Sequence, residues 1–350
     1  MTLAETTDPV RLFLVESPFQ LICATEAVRV VRPDERAVLI VVKRVRHNLR
    51  NSDQIAKLLE RFDWPDVRFL DLSEKSRIGR QWSIWRYLSA LGKELGEPPS
   101  AVFLGEYRAD VMHMFATVLA ARESWLLDDG ASTLRLRGDL DPGWDLADFA
   151  KPFGPVKRLG AHLLYPGKTR SPRDQKRFLF TAFHELFDDP RVVPNRFDLV
   201  SSFSFRKTGA GLQVVIGQKL SENGICSQEA ELHALRRMTS DVRTRGAQAV
   251  YFAHRGDSSE KLRRIEEELG VTIYRPETPV EIEFITTDRP LASIAGFYST
   301  ALFSLRVLFP DVPVTAYRIA EHEIDDFYRP GLGEVYQALA DAGISIAPDS

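Results

Sequence analysis

From Val10 onward, short runs of β-branched and apolar residues alternate with longer segments whose apolar positions recur at the helical period. That alternation marks repeated strand–helix units, which close into a parallel sheet covered by helices. In the first half it predicts the strands RLFLVES (11–17), AVLIVVK (37–43), VRFLDL (67–72), AVFLGEY (101–107) and SWLLDD (124–129). Between them fall the helices PFQLICATEAVRVV, with proline in its first turn, SDQIAKLLERF, opened by a serine, RQWSIWRYLSALGKEL and ADVMHMFATVLAA. These elements make one doubly wound lobe.

Residues 140 to 210 break the rhythm, because DPGWDLADFAKPFGP and LLYPGKTRSPRD are rich in proline and glycine. They read as a connection, with a helix in QKRFLFTAFHELF (175–187). The rhythm resumes with strand QVVIGQ (213–218), helix SQEAELHALRRMTSDVRTRG, strand AVYFAH (249–254), helix SSEKLRRIEEELG and strand VTIYRP. PVEIEFI reads as a helix, followed by strand LASIAGF, a helix from Ser299 and strand VPVTAYRI.

The expected fold class is therefore α/β, with two Rossmann-like doubly wound lobes facing a cleft. The first spans 1–195, its last part a linker from about residue 140, and the second spans 196–350. A length of 350 residues agrees with two domains of roughly 150 each. In open α/β sheets ligands sit at the carboxyl ends of the strands, so candidate chemistry is sought just after each predicted strand.

Composition narrows the function classes. The 46 basic and 49 acidic residues nearly cancel, so no global field favours nucleic acid or anionic lipid, and KRVRHNLR (43–50) reads as a solvated face. Two cysteines, Cys23 and Cys226, build neither a disulfide framework nor a metal spacing, which fits a reducing cytoplasm. MTLAETTDPVRLFLV has no basic region before its apolar run, and no stretch reaches the ~18 apolar residues of a membrane span. Secretion and spanning are not expected, while peripheral membrane association and the oligomeric state stay open.

Four strand-end sites could carry chemistry. Asp128 and Asp129, with Gly130, follow SWLL, where a carboxylate can project into a crevice and take a proton from a hydroxyl. An ordinary Asp-Gly turn leading into TLRLRG is the competing reading. His254 ends the strand AVYFA, where an imidazole could bond a phosphate or protonate a leaving oxygen, and Asp257 with Glu260 resembles a capping box. Ser299 and Thr300 open a helix whose free N–H groups suit a phosphate. Gly217 and Gln218 end another strand, where glycine permits a ligand to approach the backbone, and Glu281 could accept bonds from ribose hydroxyls. HELFD lacks the second histidine of a zinc helix, and neither a GxxxxGK nor a GxSxG motif occurs.

In this order the sites resemble the bacterial GT-B sialyltransferases, the lipooligosaccharide sialyltransferase and polysialyltransferase families. Those families carry an acidic-acidic-glycine motif, then a histidine-proline motif, then a serine pair or serine-threonine. The counterparts are Asp128-Asp129-Gly130, His254-Arg255 and Ser299-Thr300, with Arg255 standing where the family has proline. ESPFQLICATEA also looks like their opening strand–turn–helix. The resemblance implies an inverting, metal-independent glycosyltransferase with CMP-sialic acid or a related CMP-nonulosonate as donor and a glycan or glycolipid hydroxyl as acceptor. It needs no cofactor. Asp128 or Asp129 would be the base and His254 the acid or phosphate partner. Ser299 and Thr300 would hold the phosphate, while Gly217, Gln218 and Glu281 would meet cytidine and its ribose. A transferase using a nucleoside diphosphate sugar, a noncatalytic carbohydrate-assembly protein and a nucleotide-sugar epimerase are the rival readings.

Overall fold

The structure, a computed structural model, describes residues 8–44, 49–73, 76–129, 133, 175–203, 211–243 and 249–347. The chain forms two compact units with their principal boundary between Asn195 and Arg196.

The first unit begins with β1 (Val10–Val15), α1 (Pro18–Val30), β2 (Arg36–Arg44), α2 (Leu49–Arg61), β3 (Val67–Leu72) and α3 (Arg77–Leu95). It continues with β4 (Ala101–Leu104), α4 (Asp110–Val118), β5 (Glu123–Leu127), β6 (Lys176–Thr181) and β7 (Val192–Pro194). Its sheet has the order β3-β2-β1-β4-β5-β6-β7, and every pairing is parallel. Phe13, Leu14, Val38, Leu39, Val102 and Phe103 have no measurable exposure, because strands covered on both faces are apolar throughout rather than alternating. Phe13 stacks on Phe103, Phe103 on Trp125 and Trp125 on Phe178, so one aromatic row runs across four strands.

That row ends on β6, where a helix was expected. Lys176 to Phe180 instead pair in register with Glu123 to Leu127. The run RFLF is apolar enough for either element, and pairing with β5 together with the Trp125–Phe178 stack decides for the strand. Part of the expected linker is therefore sheet. A one-turn 3-10 helix, His184–Leu186, is the helical remnant of the segment.

The second unit contains α5 (Asp198–Ser202), β8 (Leu212–Ile216), α6 (Gln228–Arg243), β9 (Ala249–Phe252), α7 (Ser259–Leu269), β10 (Thr272–Tyr274) and α8 (Val280–Thr286). Then follow β11 (Leu291–Gly296), α9 (Thr300–Leu308), β12 (Val314–Ala316), α10 (Arg329–Asp341) and β13 (Ser345–Ile346). The order β10-β9-β8-β11-β12-β13 is again parallel throughout. Both sheets reverse direction beside their first strand, at β1/β4 and β8/β11, the switch points where open α/β sheets bind ligands. Among the described residues no helix is long and apolar enough to cross a membrane.

Candidate active site

In the first unit a polar cluster gathers at the carboxyl ends of β1, β4 and β5. Ser17 caps α1 by accepting from Gln20 N, and Pro18 starts the helix, which fixes Gln20 in the first turn. The Gln20 amide is oriented by two bonds: its Oε1 accepts from Glu16 N at 2.7 Å and its Nε2 donates to Asp129 Oδ1 at 2.5 Å. Gly105 makes room for it, since a Cβ there would lie 2.6 Å from Gln20 Oε1 and 2.8 Å from the Leu14 carbonyl.

Arg108 clamps Glu106 through Nε and Nη2, each at 2.9 Å, and its own backbone N–H reaches the same carboxylate. Its Nη2 also lies 3.9 Å from Asp129 Oδ2. Burial, a hydrogen bond to Glu106 and the Glu106 charge push Asp129 up to about 8, against the pull of Gln20 and Arg108. Burial acts upward on Glu106 too, but the bonds from Arg108 and Asp129 outweigh it and hold that carboxyl well below its usual range. The two acids thus share one proton, held on Asp129. Nearby, burial raises Glu16 to about 7 despite its ion pair with Arg44, and Glu106 adds to the rise.

Asp128 corrects the expectation of a paired catalytic site. Its side chain is fully buried, Thr181 Oγ1 donates to Oδ1 and Ala182 N donates to Oδ2 at 2.8 Å. It ties the end of β5 to the end of β6, its carboxylate taken up by structural bonds. Gly130 and residues 134–138 lie outside the described residues.

In the second unit Gly217, His254 and Ser299 follow β8, β9 and β11, which are neighbours in the sheet. Their shared edge is the switch point. Gly217 is required by its own sheet rather than by a ligand: a Cβ would lie 2.7 Å from His254 N, 2.7 Å from Tyr251 Oη and 2.8 Å from the Phe252 carbonyl. Gly217→Ala is therefore expected to cost about 1–3 kcal/mol through overpacking, read by urea unfolding of the purified chain.

The His254 ring accepts a hydrogen bond at Nδ1 from Gly256 N at 3.0 Å, which leaves Nε2 as its N–H. Burial, Arg255, Lys261 and Lys219 push its pKa down to about 4, so it is neutral near pH 7. The expected capping box is replaced as well. Ser258 is the N-cap of α7, accepting from Lys261 N, while Asp257 turns inward and accepts from His254 N at 2.7 Å and Tyr251 Oη at 3.1 Å. Beneath the loop, buried Lys261 pairs with Asp257 at 3.0 Å, Glu222 at 3.3 Å and Glu231, and it also donates to the Gln218 carbonyl at 2.7 Å.

Gln218 leaves its side-chain Oε1 buried and, among the described residues, without a hydrogen-bond partner. Glu281 is 4% exposed and accepts from Ser304 Oγ at 2.6 Å, and so holds α8 to α9. Burial raises its pKa. Ser299 caps α9, accepting from Ala301 N at 3.3 Å, with Thr300 as the first helical residue. Among the described residues no group of three or more His, Cys, Asp or Glu could hold a metal ion.

Glu16, Gln20, Glu106 and Arg108 are the residues that strand-end reasoning passed over. ESPFQ and GEY stand after β1 and β4, so the signal was position after a strand, which singled out residues after β5, β8, β9 and β11 but not these.

No family model and no curated protein matches this sequence. Solved structures do. The α/β-galactoside α-2,3-sialyltransferase of Photobacterium phosphoreum aligns with 97% of this chain and 99% of its own at 11% identity and TM-score 0.54. A putative UDP-N-acetylglucosamine 2-epimerase from Listeria monocytogenes aligns with 96% of this chain and 88% of its own, at 11% identity and TM-score 0.56. The fold is thus the GT-B type, two Rossmann-like units in one chain.

Proposed function

We propose that this chain is an inverting, metal-independent glycosyltransferase that moves a nonulosonic acid from a CMP-activated donor to a glycan hydroxyl. The observation that carries it is the Glu106–Asp129 pair, a carboxyl with raised pKa oriented by Gln20 at the sheet's carboxyl edge. The acceptor oxygen forms its bond to the anomeric carbon as the bond to the donor phosphate breaks. The electron pair leaves on CMP, and the acceptor proton passes to Asp129 in its ionised form, which gains population as pH rises toward 8 and the shared proton is released. Glu106, Arg108 and Gln20 position that base.

In this reading the first unit takes the acceptor and the second the nucleotide. A monophosphate leaving group needs charge stabilisation more than a proton, and the neutral His254 Nε2–H supplies a hydrogen bond rather than an acid. Ser299, Thr300 and the start of α9 would receive the phosphate. The unpartnered Gln218 oxygen suits a donor such as the cytosine amino group. Two buried cysteines, neither of them in a disulfide, agree with a cytoplasmic setting.

A second reading is favoured by the epimerase likeness, which is as strong as the sialyltransferase one. One pair of measurements separates them. Thermal shifts are expected with CMP and not with UDP or GDP, and CMP-sialic acid should be consumed with transfer to a galactoside. Binding of UDP alone, with isomerisation of UDP-N-acetylglucosamine in the absence of an acceptor, would establish the epimerase instead.

A further inference from the structure

The first unit holds a cavity of about 340 Å³ at the carboxyl ends of β2 and β3, between the starts of α3 and α4. That volume lies at the lower end of ligand pockets, roughly 300–1,000 Å³. Its lining includes Arg44, Arg80, Gln81, Arg108, Ala109 and Asp110, three guanidiniums against one carboxylate. Arg44 is already paired with Glu16 and Arg108 with Glu106. Arg80 differs, for among the described residues it has no ion pair or side-chain hydrogen bond. At the cavity wall Ala109 is the N-cap of α4 and has no side-chain oxygen to satisfy the helix's first N–H groups. An unpaired guanidinium, a neutral amide and the positive end of a helix thus converge on one space.

We infer that this cavity is an acceptor subsite for an anionic group, a phosphate or a carboxylate carried by the sugar that receives the transfer. The inference rests on the glycosyltransferase reading and narrows its substrate class. Arg108 links the two places, since it lines the cavity, clamps Glu106 and reaches toward Asp129. An acceptor held by its anion there would present a neighbouring hydroxyl to the base, the positioning that converts binding into rate. Arg80 is the group whose charge is free to be spent on it, through a bidentate fork. Asp110 disfavours a bare dianion deep in the cavity, and a sugar that keeps its anion beside Arg80 and Gln81 answers that constraint.

Calorimetric titration of the full chain in phosphate-free buffer, with glucose 6-phosphate, glucuronate and glucose as probes, tests this directly. At least one of the two anionic sugars should bind and glucose should not, and which anion binds tells phosphate from carboxylate. Arg80→Gln and, independently, Gln81→Glu should each weaken that binding at least 10-fold, while Arg80→Lys retains part of it. Failure of both anionic sugars to bind the parent chain, or unchanged binding in both variants, overturns the subsite. The CMP thermal shift is run on the same samples. If CMP shifts the parent and neither anion binds, the subsite alone falls. If anions bind as expected and no nucleotide does, the transferase reading falls.

Discussion

Asp129→Asn should abolish transfer and at the same time stabilise the protein at alkaline pH. Asparagine imitates the protonated acid: its Oδ1 can accept from Gln20 Nε2 and its amide can donate to Glu106, so the cluster keeps its bonds. Loss of a general base costs about 10²–10⁴-fold in rate, and kcat measured against CMP-sialic acid and a galactoside reads it. The stability effect follows from proton linkage. The Asp129 pKa in the fold stands near 8, above the ordinary aspartate value of about 4. Between those limits the native state keeps a proton that the unfolded chain has released, so native stability falls as pH rises and levels off above about 8. Asparagine has no such proton to lose. The melting temperature of the variant should therefore match the parent near pH 4 and exceed it by several degrees at pH 9, where each kcal/mol is worth roughly 2–4 °C in a unit of this size. Parent activity should rise with pH toward 8. A variant that is inactive but no more stable at pH 9 would remove the shared proton from the account.

Lys261→Met should be the most damaging single change in the second unit. Lys261 is 1% exposed and faces Asp257, Glu231 and Glu222, the first two with side chains 0% and 1% exposed. Methionine fills the stem's volume and removes the cation that Asp257, Glu231 and Glu222 share, leaving buried carboxylates without it, at about 3–5 kcal/mol. Urea unfolding at pH 8 should show the full loss, and at pH 5 a smaller one as Asp257, whose carboxyl burial already pushes up, takes up a proton. CMP binding should weaken too, because Asp257 holds His254 N and Lys261 holds the Gln218 carbonyl.

The layered pattern of both units could be read from periodicity because buried parallel strands and amphipathic helices each repeat within a few residues. β6 could not. Its apolar run becomes a strand only through Leu127, Trp125 and the other β5 partners, which the periodicity of the segment itself does not contain. The site divides in the same way. Asp129, His254 and Ser299 stand at strand ends, where position alone singled them out. The partner that raises Asp129 is Glu106, and the amide that orients it belongs to Gln20, 109 residues away. Asp128 and Asp129 are adjacent in the chain and opposite in fate, since a strand end sends successive side chains to opposite faces. The first met Thr181 and Ala182 and was consumed as structure.

The parallel pairing of every described strand also has a kinetic meaning. Among the described residues neither sheet contains a hairpin, so none of these strand pairs zips from a tight turn. Each ladder must wait for a crossover to close, and the β5–β6 ladder must bring Phe180 back to Leu127 across more than fifty residues. Loop-closure entropy is then spent before pairing repays it, which makes a slow-folding chain with strand edges open during synthesis. Thr181 ends β6 and Ala182 follows it, so the clasp on Asp128 can form only once that crossover has closed.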